Sequence, residues 1–194
     1  MFPQQEAYRQ LREVARQFAH REVRPVLARY ERAEEFPWEV ARKLGELGFF
    51  GIIIPEAYGG GGLDFWAYCG VLEELGRYSS VRSMVSVQQS LVATPLLSFG
   101  TEEQKRAYLP RLASGEIFGA YALTEPSAGS DAASVRTRAV RDGSTWVLNG
   151  EKTFISQANV ASLFIVFAQT DPAQGHRGIT AFLVERSDGV TTLP

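Results

Sequence analysis

The chain has 194 residues, 45% of them hydrophobic and 22% charged, with a net charge of −2. That composition fits a globular protein with one substantial core or two small ones, and gives no electrostatic reason to expect nucleic acid or an anionic membrane as partner. A single cysteine excludes an internal disulfide and points to a reducing, cytoplasmic setting. Residues 1–5 lack the basic and apolar regions of a signal peptide, and the longest apolar run, residues 49–55, is far too short to span a bilayer.

In chain order, Tyr8, Leu11, Ala15 and Phe18 recur at helical spacing and predict a first amphipathic helix. Pro25 should end or kink it near Val23 and Arg24. Pro37 suits a first helical turn, Val40, Leu44 and Leu47 form the next apolar stripe, and Gly48 stops it. The glycines at 59–62 read as a permissive turn, because no Gly-Lys-Ser/Thr follows to make a phosphate loop. Asp64 is an N-cap for a third helix carrying Tyr68, Val71, Leu72 and Leu75. Met84, Val85, Leu91 and Val92 mark a fourth pattern that Pro95 disturbs. Thr101-Glu102-Glu103-Gln104 is a capping box, with two carboxylates at the positive end of the helix dipole. Helices account for the chain to about Gly115.

From Ile117 the period changes. Val135, Thr137 and Ala139 alternate with Arg136, Arg138 and Val140, and Asp142-Gly143 is a hairpin signal. Trp146 and Leu148 follow, then Asn149-Gly150 as a second hairpin signal leading into residues 153–156. Residues 163–168 read as a buried strand and 179–185 as another, with a polar loop at 171–178 between them. Short strands with tight turns indicate an antiparallel sandwich or barrel. The expected organisation is an all-α domain over 1–116 followed by a β-domain over 117–194.

Between the two regimes lies Tyr121-Ala122-Leu123-Thr124-Glu125-Pro126-Ser127-Ala128-Gly129-Ser130-Asp131. It leaves an apolar run and ends in small and hydroxyl residues, and Gly129 lets a bulky or anionic group approach the main chain. These eleven residues resemble the flavin-binding signature of the acyl-CoA dehydrogenases. Asn149-Gly150-Glu151-Lys152-Thr153-Phe154-Ile155-Ser156 resembles that family's second flavin-contact segment. Two further segments are similar, the helix connector Pro55-Glu56-Ala57-Tyr58-Gly59-Gly60-Gly61-Gly62-Leu63-Asp64 and the stretch Phe99-Gly100-Thr101-Glu102-Glu103-Gln104-Lys105. The likeness runs from about Leu11 onward and is greatest to the short-chain branch.

The resemblance implies an FAD-dependent oxidoreductase of fatty acid or amino acid catabolism that removes a proton from Cα and a hydride from Cβ of an acyl-CoA. It implies FAD contacts from Tyr121, Leu123, Thr124, Gly129, Ser130, Phe154, Ile155 and Ser156, with Ser130 also near the cofactor phosphates or the CoA arm. Phe154 stands where many relatives have tryptophan, and Ser156 where threonine is commoner. Gln88 stands where some short-chain relatives have histidine and receives no role. Family members continue with more strands and a C-terminal four-helix domain, so the resemblance implies that residues 117–194 are only part of the β-domain, and the family base is a glutamate beyond Pro194. No catalytic residue is therefore expected here, and this chain alone is expected to be inactive. Electron-transfer flavoprotein is the implied electron acceptor, and the full-length form the implied homo-oligomer.

Several residues also have plainer readings. Thr124 and Ser130 could cap local backbone, and Phe154 alone is more often core than cofactor partner. Glu125 is tempting as a base, but it precedes Pro126 in a loop and the family does not use it so. His20 and His176 have no partner at metal-ligand spacing. Cys69 reads as a small core residue on the third helix. Two other functions remain open: an oxidase or monooxygenase on the same fold, and a non-catalytic homologue that binds flavin, CoA or a protein partner.

Overall fold

The computed structural model describes residues 6–186 and 189–193; the leaderless start read at residues 1–5 lies outside them. The chain forms two compact units, divided between Phe118 and Gly119. No described helix is long and apolar enough to cross a membrane.

The first unit is helical. Helix α1 (Glu6–Phe18) passes through a π turn at Ala19–Val23 into α2 (Arg24–Ala33). Pro25 is the physical cause: it lacks an amide proton and its ring crowds the carbonyl four residues back, so the turn before it widens. The kink expected at Val23 is therefore a bulge in a continuous helical path. The same device recurs where α5 (Ser79–Ser86) meets α6 (Thr94–Phe99) through a π turn at Val87–Ala93, two residues before Pro95. Helices α3 (Trp38–Glu46), α4 (Phe65–Leu75) and α7 (Glu102–Ser114) complete the unit.

The apolar stripes converge on one core that includes Ala15, Phe18, Val40, Leu44, Val71, Leu75, Val85 and Leu112. Leu47 and Leu91, read as part of the stripes, are instead exposed: Leu47 is the C-cap of α3, and Leu91 lies within the second π turn, where the helical spacing no longer holds. Cys69 is exposed too: it lies between Tyr68 and Gly70 on α4, on the opposite side from Val71 and Leu75. Asp64 caps α4 by accepting from the Trp66 and Ala67 amides at 3.0 Å. The capping box at Thr101 and Gln104 is complete. In the glycine run, Gly59 and Gly62 have φ of 78° and 60°, and a Cβ on Gly60 would lie 2.1 Å from the Ile54 carbonyl oxygen. That geometry accounts for a turn built of glycines.

The second unit is a five-stranded sheet of β1 (Gly119–Ala122), β2 (Arg138–Asp142), β3 (Thr145–Asn149), β4 (Leu163–Gln169) and β5 (Ile179–Glu185). Strand β4 is the hub. It pairs antiparallel with β5 along its length, parallel with β1 over residues 163–166, and parallel with β2 where Gln169 meets Arg138. The sheet is thus mixed, where the tight turns had suggested antiparallel pairing throughout. Gly143, with φ 60°, makes the β2–β3 hairpin as its sequence indicated.

The second hairpin, expected at Asn149-Gly150, does not form, and residues 153–156 are not a strand. Gly150 lacks the positive φ of such a turn, and a Cβ there would lie 2.4 Å from Thr137 Oγ1. Its glycine is required by close packing, and the chain goes on as an irregular segment to β4.

Candidate functional site

Strand β1 delivers the chain to the loop at 123–131. Tyr121 is half-buried with its ring centroid 5.0 Å from that of Phe167, and burial raises its phenol pKa. Leu123 and Thr124 are half-buried. The backbone then closes a tight turn, Glu125 N to Ala128 O at 3.0 Å and Ala128 N to Glu125 O at 3.1 Å. Pro126 occupies the second position, where its fixed φ suits the turn. Ser127, Gly129 and Ser130 are left exposed, and a Cβ on Gly129 would meet nothing within 4 Å. The main chain there is open to a bulky group.

Glu125 is only 5% exposed, and its carboxylate accepts four hydrogen bonds. Oε1 accepts from Lys152 Nζ at 2.8 Å, Thr137 Oγ1 at 2.6 Å and Thr137 N at 2.9 Å; Oε2 accepts from Arg136 N at 2.6 Å. Burial pushes its pKa up, but Lys152, Thr137 and the two backbone amides outweigh burial and hold it at about 2. A carboxylate so held is ionised at neutral pH and engaged by four donors of the chain itself. Its bonds tie the loop to Lys152 and to the stretch at Arg136 and Thr137.

Lys152 also donates to the Leu123 carbonyl at 3.0 Å, and the Thr153 amide donates to the Thr124 carbonyl at 2.9 Å. These bonds bring the two singled-out segments together. Directly after Thr153 comes Phe154, with φ 56° and 91% of its surface exposed. A bulky residue in the left-handed region costs on the order of 1–2 kcal/mol and persists only where its surroundings impose it. They do so from both sides. Ile155 packs against the buried cluster of Ala120, Ala161 and Phe164, and Gln157, itself at φ 65°, donates from Nε2 to the Gly119 carbonyl at 3.0 Å.

Tyr121, Leu123, Thr124, Gly129 and Ser130 thus share one segment, and Phe154, Ile155 and Ser156 a second one bonded to it at Leu123 and Thr124. Ile155 faces the core, while Phe154 and Ser156 are exposed. Among the described residues, the hydroxyls of Thr124, Ser130 and Ser156 make no hydrogen bond, so none is used as a local backbone cap. The buried Oε1 of Gln157 also has no partner there. A strained, uncovered aromatic ring, unengaged hydroxyls and an orphaned buried acceptor on adjoining segments suit a flat ligand with a polar edge. Sequence reasoning missed Lys152, Thr137 and Gln157 as parts of this arrangement. The available signal was Thr137, a hydroxyl on the same alternating face as Val135 and Ala139, all three of them buried.

Elsewhere, His20 lies 3.1 Å from Arg24 Nη1 on the outside of the first π turn, and His176 is exposed. Among the described residues no group of three or more His, Cys, Asp or Glu could hold a metal ion.

Comparison with known proteins gives two sequence-family matches: "Acyl-CoA dehydrogenase, N-terminal domain" over residues 5–116 and "Acyl-CoA dehydrogenase, middle domain" over residues 120–194. An acyl-CoA dehydrogenase of Bacillus subtilis is 44% identical over 91% of this chain and 47% of its own length. A short-chain-specific acyl-CoA dehydrogenase of Clostridium acetobutylicum is 42% identical over the same shares. The crystal structure of a glutaryl-CoA dehydrogenase from Mycobacterium smegmatis in complex with FADH2 superposes with a TM-score of 0.87 at 40% identity, over 93% of this chain and 46% of that one. The chain spans about half the length of the curated relatives it matches.

Proposed function

The chain belongs to the acyl-CoA dehydrogenase family, and from that premise we propose that it carries the flavin-contacting portion of an FAD-dependent dehydrogenase of acyl-CoA thioesters. The observation that carries the reading is Phe154: an aromatic ring held in a strained backbone conformation yet 91% exposed, on a segment bonded to the signature loop. A residue that contributes so little to the core and is held at a conformational cost reads as one kept for a ligand.

FAD, when bound, supplies the acceptor for the hydride leaving the substrate's Cβ. The chain's own residues bind and orient. Phe154 offers its face to the ring system and Ser156 its hydroxyl to the ring edge. Leu123 and Thr124 offer backbone and hydroxyl groups to the polar edge, with Tyr121 and Ile155 backing them. Gly129 and Ser130 offer open main chain and a hydroxyl to phosphate or to the CoA arm, where an exposed loop can meet an anion.

An acyl-CoA α-proton is too weakly acidic for a carboxylate unless the thioester carbonyl is polarised as charge develops. We do not assign Glu125 as the base that takes it, because its carboxylate is buried, held at a low pKa and bonded to Lys152, Thr137 and Arg136. Within residues 1–194 we assign no catalytic residue. The same reading gives the full-length protein an electron-transfer flavoprotein as acceptor and a homo-oligomeric form. It also gives a reducing, cytoplasmic setting, with which the exposed free thiol of Cys69 agrees.

Titrating the chain with FAD, followed by flavin fluorescence, tests the reading. The wild type is expected to quench saturably. Phe154→Gly relieves the left-handed backbone, so its unfolding free energy should fall by no more than about 0.5 kcal/mol while flavin affinity drops roughly tenfold. Equal affinity for the two proteins would remove Phe154 from the site, and no quenching by wild type would remove the site itself.

A further inference from the structure

The geometry points to Lys152 and Glu125 as a positioning pair that fixes the spacing of the two flavin-contact segments and tunes the polar edge between them; this rests on the flavin reading above. Neither residue is among those expected to touch the cofactor. Lys152 bridges the segments by itself: its ammonium reaches the Leu123 carbonyl at 3.0 Å and Glu125 Oε1 at 2.8 Å, and it stands two positions before Phe154. Glu125 extends the tie to a third stretch of chain through the Arg136 and Thr137 amides and the Thr137 hydroxyl. Gly150 lets that third stretch approach, since any side chain there would collide with Thr137.

The side chains of this knot are nearly dry, 10% exposed for Lys152 and 4% for Glu125. Removing one charge strands the other in a low-dielectric site, so the two act as a unit. The bond to Leu123 has a second consequence. The Leu123 carbonyl and the Thr124 N–H belong to one peptide group, and a charged donor at the carbonyl end strengthens the amide as a donor. Lys152 therefore acts on the cofactor's polar edge through the Leu123–Thr124 peptide, without touching it. A stronger donor at that edge favours the reduced, more negative flavin.

The test uses the whole chain as wild type, Lys152→Met, Glu125→Gln, the double variant, and Thr137→Val, a near-isosteric change that removes a single hydroxyl bond to Glu125. Three quantities are read: FAD affinity by fluorescence, the midpoint potential of the bound flavin, and hydrogen exchange of residues 123–131 and 150–157 without FAD. In the cofactor-free protein, both segments should lose protection together in either single variant. FAD affinity should fall about tenfold or more in each single variant, with the double no worse than the singles, and by a smaller factor in Thr137→Val. The potential should move negative in Lys152→Met, a change that loss of packing alone does not dictate. Wild-type binding with all variants within twofold, or exchange rising in one segment only, overturns the pair. If the wild type does not bind FAD, the functional reading fails, while hydrogen exchange still decides whether Lys152 and Glu125 join the segments.

Discussion

Glu74 shows what a single side chain contributes here. It lies on α4 with no exposed surface, and its carboxylate meets Arg12 at 3.0 Å, Arg16 at 3.2 Å and Arg77 at 3.2 Å. Burial pushes its pKa up, but the three guanidinium groups, Arg16 first, outweigh burial and hold it at about 2, against an ordinary value of 4.5. A depressed folded-state pKa gives stability that is fully present above the unfolded value and lost as pH falls toward the folded one. The window is therefore about pH 4.5 down to 2, and the amount on the order of 3 kcal/mol. Glu125 contributes with the same sign in the same window. Glu74→Gln should lower stability at pH 7 by about 2–3 kcal/mol and flatten the acid limb of the unfolding midpoint measured against pH. Parallel acid limbs for variant and wild type would rule out this account. The cluster was partly legible. Arg12 and Arg16 are four apart on the side of α1 that carries Leu11 and Ala15, and Glu74 follows Val71 by three on the buried side of α4. Nothing local, however, says that those two faces meet.

At the scale of elements, the sequence showed where the period changes and where helices are capped, because those signals lie within a few residues. It did not show pairing. Whether β4 runs parallel or antiparallel to a neighbour is settled by segments distant in the chain, and β1 pairs with it across some forty intervening residues. Asn149-Gly150 misled for a related reason: Gly150 serves a contact with Thr137 that only the fold creates. Gln88 and Gln89, both fully buried on the second π turn, belong to the same class. Gln88 donates to the carbonyls of Leu112 and Ile117, and Gln89 receives the Ile53 amide at 2.9 Å and donates to the Phe49 carbonyl at 2.9 Å. These amides tie the turn to backbone that no regular ladder satisfies. Gln89→Leu should cost about 2–3 kcal/mol by leaving an amide and a carbonyl without partners, as read by chemical denaturation. Leu91→Ser, at a side chain already 39% exposed on the same turn, is the control and should change little. Equal effects of the two substitutions would show that the glutamine bonds do not hold the turn.

For the whole molecule, the division of labour is the central claim. On the proposed reading residues 1–194 supply flavin-contact surfaces, and Glu125, which shares the signature loop with the exposed Asp131, is locked into a salt bridge and three further hydrogen bonds. How much of this was legible follows from the kind of signal. The contact residues stood out because the segments resemble a family pattern. Their supporting knot did not, because Lys152 and Glu125 acquire roles only when the segments meet. The decisive measurement is to load residues 1–194 with FAD under anaerobic conditions, add butyryl-CoA as a short acyl thioester, and follow flavin absorbance. The account predicts bound flavin, seen as quenched fluorescence, whose absorbance stays unchanged after the thioester is added, because Glu125 is held by Lys152, Thr137 and Arg136 and no other residue here is assigned as the base. Bleaching at an ordinary enzymatic rate, about 1 s⁻¹ or faster, would place a working base within these residues and contradict the account.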